Sequence, residues 1–372
     1  MLIVQGVTLL PLHGGKAPRW LFARMVKLGG LISEAVIDEY GSKEFIRRLG
    51  DPYWFQALSC AIGYDWHSSG TTTVTLGALK EALNGNSDIF IAGGKGNTGT
   101  STPEQIADGT DKLSIPNESE RFIGLSRTIA KIDSGLVYND VSIYHHVFLF
   151  SKDSDWGIIQ QGMIGGKSHY AVRFQVLGES VNEKDVTNET NRAVVSNLSE
   201  VTTDMTYSMN SDLKKLTVDL VNDDIRSVLN GGQQRLFMPS RHKIYPEVDL
   251  STAAKEALLA ASEMRPGSYQ ELLNQKGIGA RTLRSLAIIS SLVYDTLIYK
   301  RDPVMYAYNL GGKDGIPYKI NLKQYDDVVN AMAGIVNNAK IDKAESTKIM
   351  KRLSRELARK YTDLTGPVEA KL

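Results

Sequence analysis

Cysteine is almost missing from this chain. Cys60 is the single one in 372 residues, which excludes an internal disulfide framework and a zinc site built from cysteines alone; it also fits a reducing compartment. Long apolar runs are missing too. No stretch of about 18 apolar residues occurs, so no membrane-crossing helix is expected. The first residues, Met1-Leu-Ile-Val-Gln-Gly, lack the basic start and long apolar centre of a secretion signal. The expectation is a cytoplasmic protein with no membrane partner. An excess of either charge is lacking, at a formal net charge of +1, so bulk electrostatics selects no partner. Internal repeats and low-complexity tracts are absent, which excludes solenoids and arrays.

What is present is a globular composition, 42% hydrophobic, over a length that suits two or three domains. Residues 1–180 read as an α+β or α/β domain. Pro18 suits the first turn of a helix starting near Ala17, with Leu21, Met25, Leu28, Ile32 and Val36 at helical spacing. Lys43–Leu49 reads as a second short helix. The second half of Thr71–Asn84 looks helical, Asn97–Ser119 a loop or loop–helix–loop, and Arg121–Lys131 a helix. Ile89–Ala92, Tyr144–Phe150, Trp156–Met163 and Ala171–Val176 read as strands, the middle pair joined by the turn Lys152–Asp155. Residues 181–250 are polar and acidic and read as a connecting region with a helix near Lys214–Leu229. Residues 251–372 read as all-α, with helices near 252–262, 268–274, 281–300, 321–338 and 342–362.

Tyr269-Gln-Glu-Leu-Leu-Asn-Gln-Lys-Gly-Ile-Gly-Ala-Arg-Thr-Leu-Arg carries the sharpest signal. Two amphipathic helices flank Gly277-Ile278-Gly279. The glycines permit a tight reversal and close approach of backbone to a ligand, and Ile278 would anchor the reversal between the helices. Free N–H groups at the start of the second helix suit a phosphate oxygen, with Thr282 in that first turn. Lys276, Arg281 and Arg284 add charge. Residues 269–294 resemble the helix-hairpin-helix family, which implies sequence-independent contact with the backbone of single- or double-stranded DNA. An αα-turn with a glycine cap is the plainer alternative. Between 340 and 360 there are eight Lys/Arg against three acids. Lys348, Arg352, Arg355 and Arg359 form one stripe there, either a solvated face or a second phosphate contact.

The N-terminal half holds unusual polar strings: Leu10-Pro-Leu-His-Gly-Gly-Lys-Ala-Pro-Arg-Trp-Leu, Asp51-Pro-Tyr-Trp-Phe-Gln-Ala, Asp65-Trp-His-Ser-Ser-Gly, Ala92-Gly-Gly-Lys-Gly and Gln160-Gln-Gly-Met. On these the chain resembles the family known as domain of unknown function 763, over about residues 5–310. The family name implies no reaction, so the chemistry must come from the residues. Gly14-Gly15-x-x-x-Arg19, opening a helix, is similar to the phosphate-facing signature of the ParB/sulfiredoxin fold.

The leading expectation is a nuclease acting with metal or general-base assistance, with Mg or Mn as candidate metals. Asp65, His67 and Asp133 are the candidate metal ligands or bases. Lys95 and Arg19 are candidates to clamp a phosphate. One of His145 and His146 would join them, since neighbours on a strand point to opposite faces. Gly93-Gly-Lys-Gly lacks the spacing of a Walker A loop, and no Gly-x-Ser-x-Gly elbow occurs. Thr71-Thr72-Thr73 reads as a helix cap or part of the site; Trp54, Phe55 and Trp66 stack on bases or fill the core. One alternative is a non-catalytic DNA-binding protein of repair or replication. The other is a DNA glycosylase, in which Asp295 would act 16 residues after Gly279. A homodimer would add avidity.

Overall fold

The structure, a computed structural model, describes residues 19–62, 70–138, 141–164, 171–188, 193–196, 201–229 and 251–303. Helix α1, Arg19–Gly50, is broken at Gly41, whose φ of 84° takes it out of the helix. The two helices marked by the spacing therefore meet at a kink at Gly41. Met25, Leu28, Ile32 and Val36 are buried before the break, and Phe45, Ile46 and Leu49 after it. Helix α2, Pro52–Ile62, starts on a cap the sequence reading passed over. Asp51 Oδ1 accepts from the amides of Tyr53 and Trp54, both at 2.8 Å, and Pro52 occupies the first helical position, where no N–H is needed. Helix α3 is Gly70–Ala82.

Strand β1, Ile89–Lys95, is followed by the one-turn α4, Asn97–Thr100, and by α5, Thr102–Lys112, and α6, Ser119–Gly135. Then come β2, Val141–Ser151, β3, Trp156–Ile164, β4, Ala171–Leu177, and β5, Ala193–Ser196. The strands form one antiparallel sheet in chain order. The region expected to be a polar connection thus supplies an edge strand. It also supplies α7, Ser211–Asp219, which runs through a π-helical stretch, Leu220–Asp224, into α8, Ile225–Leu229. Helices α9, Thr252–Met264, α10, Tyr269–Asn274, and α11, Ala280–Val293, follow. The helices expected near 321–338 and 342–362 lie outside the described residues.

Helices cover both faces of the sheet. Ile89, Ile91, Val147, Leu149 and Ile159 pack with α1–α3. Ala92, Phe148, Phe150, Ile158 and Phe174 pack with α5 and α6. The alternation along each strand is the period-2 rule, but both sides are apolar, so the strands read as nearly continuous hydrophobic runs. The second apolar cluster continues through Val218 and Leu258 into Leu272, Ile278, Leu283 and Leu286. Trp54 and Phe55 are core residues, buried on the α1–α3 side.

Helix α6 is the joint between the sheet and the last helices. Its Lys131 Nζ donates to the carbonyls of Leu273, at 2.7 Å, and Gln275, at 3.3 Å. Thr128 Oγ1 donates to Asn274 Oδ1 at 3.0 Å. A cation on the last carbonyls of α10 answers the negative end of that helix. Burial lowers the Lys131 pKa. Lys131→Met is expected to keep the packing of the stem but lose about 2 kcal/mol of charge-assisted bonding. Hydrogen exchange should then quicken at the amides of α10 and the start of α11 while β2 and β3 stay protected. Unchanged exchange at α10 would show that apolar packing alone holds it.

Candidate functional site

Among the described residues, two of the polar strings, Ala92–Gly96 and Gln160–Met163, meet across Tyr144–His146 at one end of the sheet. Strand β1 finishes there in Gly93-Gly94-Lys95-Gly96, with φ of 95°, 148° and 59° at the three glycines. A Cβ on Gly93 would stand 2.2 Å from the His146 carbonyl oxygen, so only glycine lets the two strands close. Two side chains clip the turn. Gln105 Oε1 accepts from the Gly93 amide at 2.9 Å, and its Nε2 donates to the Thr98 carbonyl at 3.1 Å. Lys80, from α3, donates to the Gly93 carbonyl at 2.6 Å and to Gln105 Oε1.

The neighbouring histidines of β2 go to opposite faces. His146 lies under α6 in a chain of four side chains. The Asp133 carboxylate requires a donor, so the Gln160 Nε2 group faces it and Gln160 Oε1 faces His146. Nδ1 of His146 therefore carries the hydrogen and donates to Gln160 at 2.8 Å. Nε2 is left bare to accept from Ser126 Oγ, also at 2.8 Å. Burial lowers the His146 pKa, against the Gln160 bond, which raises it. All four residues are buried, Asp133 fully. The arrangement has the geometry of a serine–imidazole pair, but it is sealed between helix and sheet, where it satisfies polar groups the core could not otherwise hold.

His145 points to the other face, toward α3. Its strand partners across the sheet are Lys95 and Gln161, and the register slips between Ile143 and His145, leaving Tyr144 as the extra residue of a bulge. A bulge turns neighbouring side chains toward the same side, and Tyr144 stands with His145. Lys95 Nζ lies 5.9 Å from the centre of the Tyr144 ring, and Gln161 Nε2 donates to the Tyr144 hydroxyl. Gln161 Oε1 accepts from Thr72 Oγ1, which accepts in turn from Arg173 Nη1 at 3.5 Å. Arg173 also lies over the Phe55 ring, 4.7 Å from its centre. His145 itself is 2% exposed, and neither ring nitrogen has a hydrogen-bond partner among the described residues. Burial first, then the electrostatic influence of His146, Lys95 and Lys80, pushes its pKa down to about 3.

The expected catalytic set is therefore divided by the sheet. Lys95 and His145 share one face, whereas Asp133 and His146 occupy the other, so Asp133 is corrected from a partner of Lys95 to a member of the buried chain. Asp65, His67 and Trp66 lie outside the described residues. Among the described residues no group of three or more His, Cys, Asp or Glu is placed to hold a metal ion. Thr71–Thr73 do not cap α3 from outside; they form its first turn, with Thr72 aimed at Gln161. The sequence pattern gave no role to Tyr144, Ser126 or Lys80, and it marked Gln160 and Gln161 only as part of a family string. Two adjacent glutamines inside an apolar strand were the available signal, because both must be bonded if both faces are covered.

The segment Gln275–Gly279 joins α10 to α11. Ser268 Oγ accepts from the Glu271 amide at 3.2 Å and starts α10. Gly277 has a φ of 84°. Gly277 and Gly279 are exposed on either side of Ile278, which is 3% exposed, and Lys276 is exposed beside them. Thr282 is buried, and Arg284 is corrected from a phosphate contact to a structural one: its Nη2 donates to the Tyr138 carbonyl at 3.1 Å, closing the exit of α6. Nothing is described of the Arg281 side chain. Arg19 is exposed at the start of α1. Gly14, Gly15, Lys348, Arg352, Arg355 and Arg359 lie outside the described residues. Asp295 is exposed just beyond the far end of α11, at a φ of 49°.

Two tests follow from this geometry. Gly93→Ala combines a left-handed φ with a collision against backbone and should lower unfolding stability by about 3 kcal/mol; urea unfolding that matches the wild type would show that β1 moves aside. The second concerns pH. An imidazole buried neutral leaves the unfolded chain holding more protons below pH about 6.5. His145 therefore adds no pH-dependent cost above that pH, and the cost grows as pH drops toward 3, by about 1.4 kcal/mol per unit. Urea unfolding between pH 7 and 4.5 should show a loss shallower by that slope in His145→Leu than in the wild type. Parallel curves would mean that His145 is charged or hydrated when folded.

No curated protein and no solved structure matches the chain. One family does, over residues 6–320 and so over most of the length, with the sheet end built by Ala92–Gly96, Tyr144–His146 and Gln160–Met163 inside the matched span. The chain belongs to the family described as protein of unknown function (DUF763).

Proposed function

We propose that this protein binds nucleic acid through the sugar–phosphate backbone, at the turn between α10 and α11 acting as a helix-hairpin-helix. The observation that carries this is the exposure of Gly277 and Gly279 around a buried Ile278, at the start of a 14-residue helix. The first amides of α11 have no intrahelical acceptor, and the glycines let a phosphate oxygen come close to them. Lys276 adds an exposed cation, and Arg281 follows within the first turn. Contacts of this kind position a strand without reading its sequence. The glycosylase alternative loses support, because Asp295 is about 20 Å along α11 from the hairpin.

Phosphodiester hydrolysis is a second reading, favoured by the pairing of Lys95 with the unpartnered imidazole of His145 on one face of the sheet end. In that reading Asp65 and His67 are the residues to hold Mg or Mn. Asp133 has no part in it.

Fluorescence anisotropy with labelled 30-mers, single- and double-stranded, tests the first reading. Binding should weaken steeply with salt and little with sequence. Lys276→Ala/Arg281→Ala should weaken it on every sequence and reduce the salt slope by about 1 to 2. Binding that the double variant leaves intact would remove the hairpin from the interface. The same oligonucleotides incubated with Mg²⁺, Mn²⁺ or EDTA test the second reading. Cleavage that needs metal and is lost in Asp65→Ala/His67→Ala supports a nuclease; intact strands under all three conditions reject it.

A further inference from the structure

We propose that the end of the sheet beside α3 binds a phosphate-type oxyanion, received by Lys95 Nζ, the Tyr144 hydroxyl and a ring N–H of His145. The site deepens the hydrolysis reading because it uses the same lysine and histidine, but it requires no bond to be cut. It is separate from the hairpin, which docks on α6 across the sheet.

The first argument is the direction of a hydrogen-bond chain. Arg173 Nη1 donates to Thr72 Oγ1, Thr72 donates to Gln161 Oε1, and Gln161 Nε2 donates to the Tyr144 oxygen. Every link hands a donor forward. The Tyr144 oxygen is already an acceptor, so its own hydrogen is left to be given away. Each bond polarises the next, and a chain that starts on a guanidinium ends in a strengthened O–H donor. Tyr144 is half-buried at the rim, so that donor stands where a ligand arrives.

The second argument is His145. It is 2% exposed, and among the described residues both ring nitrogens lack partners. A buried polar group in that condition marks a place that something else completes. The groups whose charge acts on it are His146 beside it, Lys95 from β1 and Lys80 from α3. Among the described residues no carboxylate does so. Lys80 is occupied by the Gly93 carbonyl and Gln105, so it contributes field rather than contact. Lys95 is exposed, its ammonium over the Tyr144 ring.

The third argument is the balance of donors and acceptors. Lys95, Tyr144 and a neutral imidazole N–H are three donors in a positive field. A cation or an apolar ligand would leave all three unmet. A tetrahedral oxyanion offers several acceptor oxygens and takes charge-assisted bonds, the stronger kind. The His145 nitrogen without a hydrogen accepts from a protonated phosphate oxygen. Free phosphate and the phosphate of a nucleotide share this chemistry.

The test uses the full chain and isothermal titration calorimetry with inorganic phosphate, against sodium chloride at equal ionic strength. Phosphate should bind the wild type, with heat that chloride does not give. Tyr144→Phe and Lys95→Ala should each weaken binding by about tenfold or more, and His145→Leu should abolish it while leaving thermal stability equal or higher, since it removes unmet polar atoms. Thymidine 5′-phosphate and thymidine, run in parallel, tell the two sources apart. Tighter binding of the nucleotide than of phosphate places the ligand on nucleic acid, and equal binding assigns free phosphate. Phosphate heat no larger than that of chloride overturns the proposal. So does unchanged affinity in Tyr144→Phe and Lys95→Ala, variants at exposed or half-exposed positions that keep the answer open to refutation if His145→Leu fails to fold. Phosphate binding without DNA cleavage rejects the hydrolysis reading alone.

Discussion

A sheet covered by helices on both faces has no water to offer the polar side chains of its strands. That constraint governs this protein. His145, His146, Gln160, Gln161, Arg173 and Gln175 lie on the strands and are all buried, and each has to be answered from within or by a ligand, because an unmet buried polar atom costs a sizeable fraction of the stability of a domain. The Gln175 Nε2 group is answered by the Leu49 carbonyl at 2.7 Å, while its Oε1 has no partner among the described residues. His146 and Gln160 are answered by Ser126 and Asp133. Gln161 is answered by Thr72 and Tyr144. Among the described residues, His145 is the one member of this group with no side-chain hydrogen bond at all, and it lies beside an exposed lysine and a tyrosine with a hydrogen to give.

The same constraint explains why α6 matters. One side carries Phe122, Ser126, Ile129 and Asp133 at helical spacing, which meet the sheet. The adjacent side carries Thr128 and Lys131, which hold the end of α10. Arg284 returns the contact from α11 to the carbonyl of Tyr138. The turn bearing Gly277–Gly279 is thereby set on a helix whose other side is fixed by the buried histidine chain. A flexible tether would let those amides wander; a packed joint holds them in one orientation, which is what backbone recognition by a helix start requires.

Much of the secondary structure was legible. The apolar spacing of α1, the turn between β2 and β3, and the helices on either side of Gly277 follow from local chemistry, although the second of these helices, expected to reach 300, ends at Val293. The readings that failed did so for physical reasons. Helix α2 is not legible from periodicity because its apolar residues run almost without interruption, and the cap at Asp51-Pro52 shows only once the amides of Tyr53 and Trp54 are seen to meet Asp51. The first turn of α3 was missed because threonines are poor helix formers, and here they are kept in the helix by the bonds that Thr72 makes across to β3. The stretch after Asn182 looked like a connection because β5 is only four residues long. Arg284 looked like a phosphate ligand because sequence shows its charge and not the carbonyl it meets.

The sequence by itself determined the family, the alternation of strands and helices, and the glycine pair around Ile278, since each rests on residues within a few positions of one another. Only the tertiary structure decided how the polar residues are shared out. His145 and His146 are neighbours in sequence, yet the pleat sends one to α6 and the other to α3, and the sheet between them separates Asp133 from Lys95. Which residues face one another across a sheet depends on register and on the bulge at Tyr144, and those are set by contacts between segments far apart in the chain.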